Sequence, residues 1–588
     1  MSDTLNLIKA AWPLLKKAVA SGQVLNPQCD LVEPSSDIAP HYDVEIPMSE
    51  GFTLTANIFR SHGRMAEGDR DPVVMCAHPY DNRHIAALGG TPFNGPPQQY
   101  RLIPQSGGKP RFSTLASWES PDPEFWVQAG YTLVNLNLPG YANSGGPPSI
   151  LSEHQGRSYR EAIAWVGEQD WCAGHVGLCG VSFLCISQYL AAATPDGEEP
   201  PAALKAIIPW EGVSDLYRDL ACRGGVPDTG FLNFWWHTEV LPSLAGSIED
   251  YLAVEEAIPP EVLAKHPDYD AFWQAKAPPL ENITVPMLLC ASFSDHELHT
   301  FGSFRAFEKA SSEHKWLYTH RSGKWTEFYK AEALQVQREF FDRFLKGEAN
   351  GFENRPSVRL EVRSARDEVH EVRNLDHWPP SLALSALYLK ADRTLSAQAV
   401  PTTSRIEYRA IDGKAVFDFV FEEPTEITGY MKLKVFIEVA ALSTSETVPS
   451  DATLCCFIDK YDIYGERVPF YGTVGQNRDA LTRGYGRASR RALDRDASTP
   501  LHPIPACLVD EPIGPGDIVP IEVAFCPSST FFDEGESLRL TISGSDIIHS
   551  PIFRKDVSTN QGKHVIHIGG EYASHLLLPI AQLQNLQD

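Results

Sequence analysis

A serine hydroxyl attacks a carbonyl only when it stands clear of the backbone, near positive potential and within reach of a base. The stretch His175-Val176-Gly177-Leu178-Cys179-Gly180-Val181-Ser182-Phe183-Leu184-Cys185-Ile186 reads as a short strand, a tight turn and the start of a helix, with Ser182 on the turn. Gly180 is the small residue such an elbow needs where strand and helix converge, and the helix presents its positive end to Oγ. The common pattern is G-x-S-x-G; Leu184 occupies the second glycine position here. Acyl transfer through a covalent intermediate is the chemistry this predicts, with Ser182 as nucleophile.

The serine needs a base, and the base needs an orienting acid. In doubly wound hydrolases both sit in loops after later strands, in the order serine, acid, histidine. Asp295 lies just past the apolar run Met287-Leu288-Leu289-Cys290-Ala291, and His320 follows Trp316-Leu317-Tyr318. The two are 25 residues apart (320 minus 295), enough for a crossover helix. That order makes Ser182, Asp295 and His320 the expected triad, with His296, His299 and His314 as competing histidines. Asp295, His296, Glu297 and His299 cluster like metal ligands, but their spacing matches no standard zinc pattern, so no metal and no cofactor is expected. The tetrahedral intermediate also requires hydrogen-bond donors. The backbone N–H of Phe183 is one, and Tyr80, on the loop Ala77-His78-Pro79-Tyr80-Asp81-Asn82 after an earlier strand, is the expected second.

These residues require a sheet to hold them. Apolar runs at Pro72–Ala77, Gly130–Leu136, Val176–Leu178, Ile207–Ile208, Met287–Ala291 and Trp316–Tyr318 alternate with helical patterns, one of them over residues 154–168. That alternation predicts an α/β hydrolase with a doubly wound, mostly parallel sheet. Tyr42–Arg60 predicts a hairpin turning at Ser49-Glu50-Gly51. Residues 1–40 read as a partly helical lead-in, and 41–214 with 281–350 as the catalytic domain. Residues 215–280 read as an inserted helical cap. After Gln337–Leu345, a closing helix, period-two runs such as Met431–Val435, Ile521–Phe525 and Leu538–Ile542 predict a carboxyl-terminal β-sandwich over 355–575.

A chain of 588 residues implies several domains. Its net charge of -26 argues against nucleic acid and anionic membranes as partners. Eleven dispersed cysteines with no CxxC pair fit a reducing compartment. The amino end, with Asp3 and interrupting lysines, reads as an amphipathic helix rather than a secretory signal, so a cytoplasmic location is expected. No apolar run reaches the length of a membrane helix.

With these residues in place, the chain resembles the X-prolyl dipeptidyl-peptidase and cocaine-esterase family of serine hydrolases. The resemblance runs through Glu50-Gly51, the His78–Asn82 loop, Ser144-Gly145-Gly146, Gln169-Asp170-Trp171 and the elbow. It continues through Ser214–Arg218, Gly224-Gly225, Asp295, His320 and Phe341–Gly347. It implies an α/β-hydrolase domain, a helical cap and a jelly roll. It also implies the roles already given to Ser182, Asp295, His320, Tyr80 and the Phe183 N–H. The chain departs from the family at Cys185, where a glycine is common, and at Asn137, where an acid pairs with an arginine. It departs again at Phe293, commonly tryptophan, and at Glu297, where esterase relatives carry an aromatic lining the acyl pocket. Phe293 and Glu297 are therefore candidate pocket residues.

The expected activity is cleavage of a carboxylic ester, with a small-molecule ester or short acyl or peptidyl compound as substrate. The alternatives are an X-Pro dipeptidyl-peptidase or α-amino-acyl ester or amide hydrolase, in which Glu297 would recognise the amine. An acyltransferase or a catalytically idle relative is a third reading. The sandwich domain leaves surface for a homodimer.

Overall fold

The computed structural model of the chain describes residues 9, 12, 13, 15–20, 28–82, 100, 103–255, 257–443, 447–548, 550 and 552–581. Most of the amphipathic helix expected at the amino end lies outside the described residues; residues 15–20 are helical. The chain divides into two compact units. One comprises Met1–Asp215, Leu232–Lys265 and Ala271–Arg359, the other Leu216–Phe231, His266–Asp270 and Leu360–Asp588.

The first unit is built on one sheet of eight long strands: β1 (Ile38–Pro47), β2 (Thr53–Ser61), β3 (Asp71–His78), β4 (Thr132–Asn137), β5 (Cys172–Val181), β6 (Leu204–Trp210), β7 (Met287–Ser292) and β8 (Lys315–His320). β1 and β2 form the antiparallel hairpin, and β2 also runs antiparallel to β4. From there the order is β4-β3-β5-β6-β7-β8, all parallel. β3 and β7 are buried along their whole length, the mark of a sheet covered on both faces. Strand order reverses beside β3, so the loops after β3 and β5 open a crevice at the carboxyl edge.

Five helices position the site: α1 (Glu153–Gly167), α2 (Phe183–Ala192), α3 (Thr300–Lys309), α4 (Lys324–Phe328) and α5 (Ala331–Leu345). α1 starts at Ser152, whose side chain accepts from the Gln155 N–H, and buries Tyr159, Ala162, Ile163 and Val166, one helical face. α2 is buried all round. Close approach of α5 to β5 is possible because residue 177 is glycine: a Cβ there would lie 2.6 Å from Leu345 Cδ1 and 2.7 Å from Phe341 Cε1.

Residues 215–280 are helical in short pieces, among them Phe231–Trp235, Ile248–Leu252, Val262–Lys265 and Ala271–Gln274, with π-helical turns at Tyr217–Ala221 and Trp236–Val240. They are shared between the two units rather than forming a third.

The second unit is antiparallel. Thr425–Ala440 pairs with Val519–Phe532, and Ser537–Ser543 lies between Lys414–Val420 and Thr453–Tyr461. Alternate residues of these strands (Leu433, Val435, Ile437, Val523, Phe525, Leu540) meet in one apolar core, the product of period-two patterning. This is a jelly-roll sandwich.

Candidate active site

The turn after β5 places Ser182 at φ 59°, ψ -113°, a left-handed backbone that side chains avoid and that costs on the order of 1–3 kcal/mol. Glu119 and Glu211, at φ 63° and φ 53°, share this rare region. The three strained residues are wired together. The Val181 N–H donates to the Glu119 carbonyl (3.2 Å), and the Ser182 N–H to the carbonyls of Glu211 (3.0 Å) and Trp210 (3.1 Å). Gly180, at φ 150°, makes room for Leu184: a Cβ there would stand 2.5 Å from Leu184 Cβ. Bulk at Cys185 is accommodated by Gly212, where a Cβ would be 2.6 Å from Sγ. The irregular motif thus moves the requirement for a glycine from the elbow to the strand β6 exit.

Ser182 Oγ lies 3.3 Å from His299 Nε2, and His299 Nδ1 lies 2.5 Å from Asp295 Oδ2. Asp295 sits in the loop after β7, and His299 caps α3, so the two are four residues apart over one helical turn. Asp295 Oδ2 also accepts from Lys324 Nζ (2.8 Å), at the start of α4, which stands 3.2 Å from His299 Nδ1. With the Nδ1 proton donated to Asp295, Nε2 carries its lone pair toward the serine. Burial would raise the Asp295 carboxyl, but Lys324 and His299 outweigh it and hold the group well below its ordinary range. Burial, followed by the Lys324 ammonium, depresses His299 below 6.5 against the pull of Asp295. A neutral imidazole facing a serine hydroxyl and backed by an ionised carboxylate has the arrangement a general base requires.

The structure departs from expectation at His320. Its Nε2 is 2.8 Å from Glu211 Oε1, its ring stacks on Trp210 with centroids 6.3 Å apart, and it is fully buried at the end of β8. Glu211 Oε2 accepts in turn from Ser292 Oγ (2.5 Å). His320 is therefore paired inside the sheet layer with the residue whose backbone holds the elbow, and His299 stands where the base was expected. Glu211, His320 and Cys290 could in principle hold a metal ion, each offering one ligand atom. Glu211 is already committed to two hydrogen bonds, and burial pushes the Cys290 thiol far up, which disfavours the thiolate a metal wants.

Tyr80 comes to the elbow on the loop after β3. Its ring packs edge-on against Phe183 (6.0 Å) and stacks on His78, whose Nδ1 accepts the Tyr80 N–H at 3.1 Å. Trp235 Nε1–H donates to the phenolic oxygen (3.3 Å), leaving the phenol's own proton to be donated elsewhere. Burial, then Glu119 and Glu239, hold the Tyr80 hydroxyl well above its ordinary range, so it stays protonated. Phe183 opens α2, and the first N–H groups of a helix have no intrahelical acceptor. The missing acid–arginine brace at Asn137 is replaced by amides. Asn137 Nδ2 donates to Asn82 Oδ1 (2.9 Å), the Asn82 N–H donates to Asn137 Oδ1 (3.0 Å), and Asn82 Nδ2 to the Asn135 carbonyl (2.7 Å).

Of the two candidate pocket residues, Phe293 is buried against Phe304 of α3 (5.6 Å, 24° between rings). Glu297 is buried within the loop joining Asp295 to His299. Sequence reasoning held His299 only as a competitor and missed Lys324, Glu119, Glu211 and Trp235. The i,i+4 spacing of Asp295 and His299 was the one available signal; the other four carry no motif.

A serine hydrolase of the α/β-hydrolase fold is the class defined by this sheet, elbow and hydrogen-bonded chain. Residues 50–326 match the X-Pro dipeptidyl-peptidase (S15 family), and residues 350–577 match the X-Pro dipeptidyl-peptidase C-terminal non-catalytic domain. The chain belongs to the X-Pro dipeptidyl-peptidase, CocE/NonD and cocaine-esterase family of serine hydrolases. It is similar to two crystal structures of a CocE/NonD family hydrolase from Staphylococcus aureus. One is 32% identical with a TM-score of 0.80, covering 92% of this chain and 94% of that one. The other is 30% identical with a TM-score of 0.82, covering 95% and 100%. It is also 24% identical over 397 residues to cocaine esterase of Rhodococcus sp. (strain MB1 Bresler), a match spanning 59% of this chain and 62% of that relative, less than two thirds of its length.

Among the described residues no helix is long and apolar enough to cross a membrane.

Proposed function

We propose that the chain hydrolyses carboxylic esters of small molecules through an acyl-enzyme on Ser182, with His299 as the base and Asp295 as its orienting acid. The observation that carries this reading is the chain of contacts from Ser182 Oγ to His299 Nε2 (3.3 Å) and from His299 Nδ1 to Asp295 Oδ2 (2.5 Å). His299 Nε2 takes the serine proton as Oγ attacks the carbonyl carbon. The developing oxyanion is held by the Tyr80 hydroxyl and the Phe183 N–H. The imidazolium, stabilised by Asp295, then protonates the departing alcohol. Water enters, gives its proton to His299 and attacks the acyl carbon, and Oγ leaves with that proton. His320 has no part in these steps.

Fluorophosphonate labelling tests the reading: wild type and His320→Ala label, Ser182→Ala does not, and His299→Ala labels at a small fraction of the wild-type rate. Labelling that survives Ser182→Ala, or full activity in His299→Ala, overturns it. A panel of aryl esters, amino-acyl esters and X-Pro anilides, with Ser182→Ala as blank, ranks the substrates.

α-Amino-acyl substrates are the second reading, supported by Glu297, a buried acid two residues beyond Asp295. If Glu297 recognises an amine, Glu297→Gln lowers kcat/KM for a cationic ester and spares its neutral isostere; an unchanged ratio rejects the idea. Each of the eleven cysteines is a thiol buried in the fold, which supports a reducing compartment such as the cytoplasm.

A further inference from the structure

Glu119 is a buried carboxyl at the reacting centre for which the serine–histidine–acid chain has no use. It sits on the loop before the helix Pro123–Gln128, in left-handed backbone (φ 63°), and its own carbonyl accepts the Val181 N–H of the elbow. One carboxyl oxygen, Oε1, accepts from Trp325 Nε1 at 2.8 Å, which fixes the plane of the group. The other, Oε2, is buried with no hydrogen-bond partner. The Ser182 hydroxyl is near enough to favour the carboxylate form slightly, although Oε2 has no partner within hydrogen-bond length. An orphaned carboxyl oxygen in a buried site costs free energy that nature rarely leaves unexplained, and strained backbone concentrates where function over-determines it.

The charged and titratable groups around Glu119 come from every neighbouring element. Among the described residues, Ser182 and Cys185 are on the elbow and α2, Asp295 on the loop after β7, Lys324 at the start of α4, and Tyr80 on the loop after β3, with Tyr100 and Tyr329 also near. Among them only Lys324 is a cation, and it is bound to Asp295.

We propose that Glu119, as a neutral carboxylic acid, donates a hydrogen bond from Oε2 to Ser182 Oγ and stabilises negative charge on that oxygen whenever it is generated or expelled. The inference rests on Ser182 being the nucleophile. No proton changes hands: His299 removes the serine proton during attack and returns it when Oγ leaves the acyl carbon, while the Glu119 proton remains on Oε2. When Oε2 closes onto Ser182 Oγ, the hydroxyl donates to His299 and accepts from Glu119. During acylation the donor favours the developing alkoxide. In deacylation it assists departure of Oγ, the leaving atom of that step. Phe183 N–H and Tyr80 serve the carbonyl oxygen, so Oγ and the oxyanion have separate donors.

Burial, the largest influence, raises Glu119 to about 8 despite Lys324, so the acid form persists at neutral pH. Above that point the carboxylate would accept the serine proton, drawing the hydroxyl from His299, and would repel charge on Oγ. The alkaline limb of Ser182 reactivity is thereby assigned to Glu119.

The experiment is the second-order rate of fluorophosphonate inactivation between pH 5 and 10, for wild type, Glu119→Gln, Glu119→Ala and Ser182→Ala, with thermal melting of each. The wild type should lose reactivity with a midpoint near 8. Glu119→Gln keeps both the Trp325 acceptor and a donor toward Oγ without a titratable proton. It should stay within about threefold of wild type at pH 7 and lose the limb, whereas Glu119→Ala should fall about 10- to 100-fold. A midpoint near 8 that persists in Glu119→Gln, or a folded Glu119→Ala at wild-type rate, overturns the proposal. If Glu119→Ala does not fold, the limb in Glu119→Gln decides alone. Failure of the wild type to label at any pH, by contrast, refutes the nucleophile itself and is distinguishable from both.

Discussion

Two histidine–carboxylate pairs flank the elbow, and they do different work. His299 with Asp295, joined at 2.5 Å, meets the serine at its hydroxyl. His320 with Glu211, joined at 2.8 Å, meets the serine only through its backbone, because the Glu211 carbonyl accepts the Ser182 N–H. All four side chains are buried, and both histidines belong to the last two strand–loop units of the sheet. The difference is the side of the elbow that each pair reaches. In the proposed mechanism one activates Ser182, and the other holds Glu211, whose carbonyl accepts the Ser182 N–H. A buried histidine–carboxylate contact is thus not by itself evidence of catalysis; the third partner decides.

Breaking the pairs one at a time separates these roles. His299→Ala should lower kcat by about 10⁴-fold or more with melting close to wild type, since the imidazole is the proton acceptor. Comparable loss in His320→Ala, with intact folding, would reverse the assignment. Tyr80→Phe should cost about 10²- to 10³-fold in kcat with little change in KM, measuring the oxyanion contribution independently of both histidines. His320→Ala should instead destabilise by about 3–5 kcal/mol, because Glu211 Oε1 would be left buried without its partner. Denaturant unfolding measures it, and the protein that remains folded should still label with fluorophosphonate. The smallest effect is expected at Lys324→Met. Removing the ammonium removes one of the influences that depress His299, so the acid limb of kcat/KM should move to higher pH. A limb that stays in place would show that Lys324 acts on Asp295 alone.

Much of this architecture was readable beforehand. The elbow could be placed from Gly180, Ser182 and the apolar runs on either side, since a strand-to-helix reversal leaves that composition in any chain. The sheet followed from apolar runs separated by helical spacing, and the sandwich from strict alternation, as in Thr425–Ala440, whose residues from Met431 onward alternate between buried and half-buried. Tyr80 was legible through the loop it occupies. The structure places the His320 side chain against Glu211 rather than Ser182 for a specific reason. Chain order and position after a strand admit any histidine near the carboxyl edge, and His320 is the last residue of β8 rather than a member of the loop beyond it. That single-residue difference turns its side chain into the layer shared with Trp210 and Glu211.

The sequence alone determined the class of fold and proposed the nucleophile, the acid and the two oxyanion donors. These follow from local periodicity and from residues adjacent to one another in the chain. Tertiary structure decided which histidine faces Ser182, where Lys324 and Glu119 stand, and how Gly212 makes room for Cys185. Each of these depends on strands and helices distant in sequence meeting at one point. Hydrogen-bond partnership is a matter of ångströms, and residue spacing along the chain sets such distances only within a single helical turn or strand.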